Sequence, residues 1–111
     1  MCGFVGKAFG VSSNYEIASA LTAYRGSVNG GWSDPEVDLF AWRMARSGDA
    51  NRPQPVVTPN GSVLGLNGEI YNAPQLARRM GLSIPPDAID TEILALWLES
   101  SGAAGITQLQ G

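Results

Sequence analysis

With 111 residues, 44% of them hydrophobic, the chain has the length of one ordinary domain and can bury a modest core, which excludes a disordered segment. A formal net charge of -3 with seven scattered basic residues forms no basic stripe, so neither nucleic acid nor an anionic membrane surface is an expected partner. No apolar run approaches the roughly 20 residues that span a bilayer, no basic region precedes an apolar stretch at the N-terminus, and one cysteine without any histidine leaves neither an internal disulfide nor a zinc site. A soluble, cytoplasmic protein with no metal and no cofactor is expected.

Met1-Cys2-Gly3 opens the chain. Without histidine, a Cys-His or Ser-His-Asp relay cannot be built within it, so any nucleophile must find another base. Removal of Met1, which a small second residue permits, would put an α-amine of pKa about 8 on the same residue as the thiol. Taken by position alone, a cysteine near a chain terminus is more often an inert buried or incidental thiol than a nucleophile.

Gly3 to Phe9 is apolar and glycine-spaced and predicts a buried strand. Ser13-x-x-Glu16 is a capping box opening a first helix, on which Ile17, Leu21 and Tyr24 repeat at helical spacing until Gly26 stops it. Gly26 to Pro35 is rich in turn residues and predicts a mobile loop; Val37 to Met44 predicts a second strand. Ser47 to Asn60 is polar and proline-rich and predicts a surface loop. Ser62 to Tyr71 has strand composition on both sides of Asn67-Gly68, a dipeptide that is a leading hairpin-turn signal in its own right. Asn72 with Pro74 predicts a cap and first-turn proline for a short helix to Met80, ended by Gly81. A third helix is predicted over Asp90 to Ser101, with Asp90 as its cap, Ile93, Leu94, Leu96 and Trp97 as its apolar face, and Gly102 as its stop. Trp32, Trp42 and Trp97 read as core or interface residues. Alternating strands and helices leave open a parallel, doubly wound sheet.

These motifs, in this order, resemble the class II (N-terminal-nucleophile) glutamine amidotransferases, and within them the glutaminase domain of the asparagine synthetases. Met-Cys-Gly begins the match. Arg25-Gly26 falls in the family's Arg-Gly-Pro-Asp loop and Arg43-Met44 at its Arg-Leu. Gln54-Pro55, the hexapeptide Asn67-Gly68-Glu69-Ile70-Tyr71-Asn72, Asp90-Thr91-Glu92 and Leu109-Gln110-Gly111 follow. The hexapeptide carries the asparagine-synthetase likeness, since related amidotransferases keep Asn-Gly but usually not Glu-Ile-Tyr-Asn.

The resemblance implies an α+β fold of stacked antiparallel sheets between helical layers (αββα), of which residues 1–111 would be a single glutaminase-like domain, incomplete on its C-terminal side. It implies that Cys2 attacks the side-chain amide of glutamine, releasing ammonia and leaving a thioester that water hydrolyses to glutamate. The Asn67 side chain and Gly68 N–H would hold the oxyanion. Arg43 would clasp the α-carboxylate, and Asp90 and Glu69 would hold the α-ammonium; locally, Arg43 reads equally as a solvated strand residue. The family's Pro and Asp are replaced in Arg25-Gly26-Ser27-Val28, its His before that Arg is Tyr24, and Arg46 stands where relatives carry an apolar pocket residue. No Ser-Gly-Gly-x-Asp pyrophosphate loop is present, so ammonia would pass to a separate synthetase-like chain, with a partner chain or a second copy completing the sheet. The competing expectation is a catalytically inactive, truncated glutaminase-like partner of such a ligase.

Overall fold

The computed structural model describes residues 2–9, 15–46 and 48–111. Along the chain run β1 (Gly3–Ala8), α1 (Tyr15–Thr22), β2 (Val28–Ser33), β3 (Val37–Arg43), β4 (Val56–Val57), β5 (Val63–Leu64), α2 (Ala73–Arg79) and α3 (Asp90–Ser101). Short 3-10 turns cover Ala23–Arg25 and Ala103–Gln108. The domain is α+β with antiparallel sheets: a three-stranded sheet in the order β1-β3-β2 and a ribbon of β4 and β5. The parallel, doubly wound alternative therefore falls. Its local cause is visible at Asp34, whose carboxylate accepts the N–H groups of Glu36 at 2.8 Å and Val37 at 2.7 Å and so folds β2 directly back onto β3.

The stretch expected to be a mobile loop is β2. Its glycines and asparagine hide a period-two pattern in which Val28, Gly30 and Trp32 are half-buried and Asn29, Gly31 and Ser33 exposed. Gly30 is required by a distant segment, since a Cβ there would lie 2.5 Å from the Gln54 carbonyl oxygen.

Opposed residues in an antiparallel pair share a face. Val5 and Phe40, paired with each other, and Gly3 and Trp42, likewise paired, therefore face α1, where Trp42 Nε1 donates to the Ser19 carbonyl at 3.0 Å. Phe40 and Trp42 meet edge to face, with centroids 5.7 Å apart. The opposite face carries Phe4, fully buried Ala41 and Arg43, and touches the 53–66 segment: the Phe4 ring crowds Gly65, and Pro53 and Gln54 lie over Gly30.

The capping box begun by Ser13 lies outside the described residues. The helix it was expected to open continues into the 3-10 turn, but its predicted apolar stripe faces outward, with Ile17 59%, Leu21 70% and Tyr24 79% exposed. The sheet-facing side is built instead from half-buried Ala18, Ser19 and Thr22, small enough to sit over the aromatic pair. Gly26 follows with an extended backbone, φ -175°, so left-handed helix termination is not its role. A Cβ there would lie 2.3 Å from the Arg43 carbonyl oxygen; glycine lets the chain pass the end of β3.

The expected strand over Ser62 to Tyr71 is reduced to Val63–Leu64, which pairs with β4. The hydrophobic core lies between α2 and α3: Ala73, Leu76, Ala77, Ile93 and Trp97 pack together, with Ile70, Met80, Ile84, Leu98 and Leu109 around them. Both helices follow the predicted spans, α2 carrying Pro74 in its first turn and α3 stopping at Gly102. Their caps differ from expectation. The Asn72 side chain does not cap α2; it grips the Gln108 carbonyl (2.8 Å) and the Gln110 N–H (3.0 Å), and Tyr71 N–H donates to the Gln110 carbonyl at 2.7 Å. Ile89, not Asp90, is the cap residue of α3, and Glu92 accepts its N–H at 3.0 Å.

Candidate active site

Cys2 is the residue before β1 and is 6% exposed. The pairing of Gly3 with Trp42 fixes it at the end of the sheet, and its backbone N–H donates to Asn67 Oδ1 at 3.0 Å. Residues 65 positions apart are thereby joined. Neither Asn67 nor Gly68 adopts the positive φ that a type I′ turn demands, and β5 pairs back to β4, so the hairpin reading of Asn67-Gly68 is overturned. Instead Gly68 lines a cleft of about 380 Å³ together with Cys2, Met44, Arg46, Glu69 and Tyr71, with Gly111 closing one side. A Cβ on Gly68 would meet only Leu66 Cδ1, at 3.7 Å, so the chain leaves this approach open.

The hexapeptide is held from three directions. Asp90 Oδ2 accepts the Ile70 N–H at 2.9 Å, the Asn72 side chain binds residues 108 and 110, and Gln54 Oε1 accepts the Leu66 N–H at 2.7 Å just ahead of Asn67. Gln54 is 3% exposed, and its Nε2 donates to Thr91 Oγ1 at 3.1 Å, tying α3 to the approach of Asn67. Sequence reading marked Gln54-Pro55 only as a motif. A polar side chain beside a proline gives no sign of burial, which depends on α3 arriving from 37 residues away.

Of the residues singled out in the sequence, the structure brings together Cys2, Asn67, Gly68 and Glu69. Asp90 stands behind the hexapeptide on α3. Arg43 is 2% exposed, in the interior beneath the sheet, and its Nη1 donates to the carbonyls of Asp49 at 2.8 Å and Arg52 at 3.0 Å. The guanidinium lining the cleft is that of Arg46.

A second groove, of about 300 Å³ and more apolar, lies between the β4-β5 ribbon and α3, lined by Val56, Leu82, Ile84, Ile93 and Leu96 among others. Its charged lining groups, Arg52 and Glu92, are bonded to each other, and Arg52 also binds Asp87. The hydrogen bond from Arg52 holds the Asp87 carboxyl below its usual range. Among the described residues no three His, Cys, Asp or Glu side chains could hold a metal ion, and no helix is long and apolar enough to cross a membrane.

A family model described as a glutamine amidotransferase domain matches residues 1–111. The chain belongs to this family. The search of curated proteins found no match. As a glutamine amidotransferase domain, the chain places its single cysteine, Gly68 and Glu69 on the same cleft, with Asn67 bonded to the cysteine's backbone nitrogen, at the joint between the three-stranded sheet and the segment leading into α2.

Proposed function

We propose that this domain hydrolyses glutamine to glutamate and ammonia with Cys2 as an N-terminal nucleophile, in the manner of the asparagine-synthetase glutaminases. The hydrogen bond from Cys2 N to Asn67 Oδ1 carries this reading. Once Met1 is removed, the same nitrogen is a free α-amine, oriented by Asn67 while it takes the proton of its own thiol. The Cys2 thiolate adds to the amide carbon of glutamine. Asn67 Nδ2 and the Gly68 N–H stabilise the oxyanion, and collapse expels ammonia as the ammonium returns its proton. Water, deprotonated by the same amine, then cleaves the thioester and frees glutamate. One asparagine thus serves both the base and the oxyanion.

Glu69 on the cleft wall suits the α-ammonium of glutamine. Asp90 contributes by fixing Ile70, and so the position of Glu69. The order of packing, α1 over one sheet and α3 over the β4-β5 ribbon, supports an N-terminal-nucleophile layering.

The domain is best read as part of a larger assembly that passes ammonia to a synthetase-like ligase. Among the described residues β1 and β2 each pair on one side only, and Ile17, Leu21 and Tyr24 form an apolar stripe with nothing over it. The same stripe favours the second reading, a non-catalytic partner of such a ligase, should the domain lack activity.

Intact mass and glutamate release, measured with a chelator present, test the proposal. Active protein should begin at Cys2, and Cys2→Ala should abolish release. Equal rates in wild type and Cys2→Ala, or activity with Met1 retained, overturn it.

A further inference from the structure

Gly111 borders the cleft of Cys2 without offering it a side chain, and the reason is space. Its φ is not positive, so the backbone conformation does not itself call for glycine. A Cβ at 111 would lie 2.1 Å from the Glu69 carbonyl oxygen and 3.4 Å from Ile70 Cδ1. The Glu69–Ile70 peptide is thus held on both sides: its oxygen abuts Gly111, and its N–H donates to Asp90 Oδ2 at 2.9 Å. Residue 111 is not free to yield, because the chain before it is tied to the far end of the hexapeptide. Tyr71 N–H donates to the Gln110 carbonyl at 2.7 Å, and the Asn72 side chain donates to the Gln108 carbonyl at 2.8 Å and accepts the Gln110 N–H at 3.0 Å.

We propose that Gly111 is a positioning residue for substrate binding: by leaving room for the Glu69 carbonyl, it sets the peptide plane from which the Glu69 carboxylate reaches the α-ammonium of glutamine. The proposal rests on the glutaminase reading. A peptide unit is planar, so a side chain at 111 turns the Glu69–Ile70 unit as a whole about its anchored N–H and carries the Glu69 Cα with it. A charge-assisted hydrogen bond weakens steeply with misalignment, so the ammonium contact is the first to fail. Cys2 N and Asn67 Oδ1, joined at 3.0 Å, stand two residues upstream of the unit that moves.

The test compares two substrates on the full-length protein: glutamine, and glutaramate, which is glutamine with hydrogen in place of its α-amino group. Gly111→Ala should lower kcat/KM for glutamine by about 10-fold, the worth of one charge-assisted hydrogen bond, through KM with kcat nearly unchanged. Hydrolysis of glutaramate, which has no ammonium to place, should barely change. In a Glu69→Gln background, Gly111→Ala should cost nothing further on glutamine, since the two substitutions remove the same contact. Asn72→Ala, which loosens the 108–111 segment without adding bulk, should show a milder loss of the same selective kind and serves where Gly111→Ala fails to fold. If the loss is equal on both substrates, or adds fully to that of Glu69→Gln, the positioning role of Gly111 is overturned while the glutaminase reading stands. If wild type releases no glutamate from glutamine, that reading falls and this proposal with it.

Discussion

The backbone nitrogen of Cys2 and the side-chain oxygen of Asn67 lie 3.0 Å apart, so the asparagine bonds to the cysteine that lines the cleft. An acceptor on that nitrogen orients it without supplying a competing base. The amide's other end is a donor, and a donor near the attacked carbon is what a tetrahedral intermediate requires.

Replacing Asn67 separates these two roles. Asn67→Ala should lower kcat by about 10²–10³ while KM changes little, because an oxyanion donor acts chiefly in the transition state. Asn67→Asp keeps an acceptor toward Cys2 N but loses the donor, and should be nearly as slow. Steady-state glutamate release checks both; a KM effect larger than the kcat effect would mean that Asn67 binds glutamine instead.

Gln54 should affect the site through position. Gln54→Ala leaves the half-buried Leu66 N–H without its acceptor, a penalty of about 1 kcal/mol, and frees the chain leading to Asn67. Thr91→Val removes only the partner of Gln54 Nε2. Both variants should melt earlier, but only Gln54→Ala should also lose turnover. Equal turnover losses in the two would show that the effect travels through α3 and not through Leu66.

The β4-β5 ribbon should loosen in acid. Glu99 accepts hydrogen bonds from Thr58 Oγ1 at 2.6 Å, Ser62 Oγ at 2.7 Å and Asn60 Nδ2 at 3.0 Å, and these bonds, Thr58 first, hold its carboxyl below the ordinary glutamate range. A depressed folded-state pKa contributes stability that is complete above the unfolded value and disappears as pH falls through the folded one. Amide exchange of Val57 and Val63 should therefore be slow at neutral pH and accelerate below about pH 4. Glu99→Gln should flatten that dependence; an unchanged acid response would place its cause elsewhere.

What the sequence revealed depended on whether the cause was local. The spans of α2 and α3 were legible because Pro74, the apolar spacing after Asp90 and Gly102 all lie within the element that they shape. β2 was not, because its glycines answer to Gln54, which approaches Gly30 from another segment. The stripe on α1 was legible as a pattern, but its direction was not: Trp42 bonds to Ser19 on the other side of the helix and fixes which side meets the sheet. Arg43 and Arg46 differ in no local signal. The return of residues 49–52 buries one and leaves the other at the cleft.

The first turn of α3 sends three consecutive side chains to three separate segments: Asp90 to Ile70, Thr91 to Gln54, and Glu92 to Arg52. Any rotation of this helix about its axis moves all three ends at once. A substitution scan would score positions 90, 91 and 92 as independently important, yet their effects would overlap instead of summing, because each reports whether the same helical turn is seated. A genetic suppressor that restores the seat for one would be expected to rescue the others.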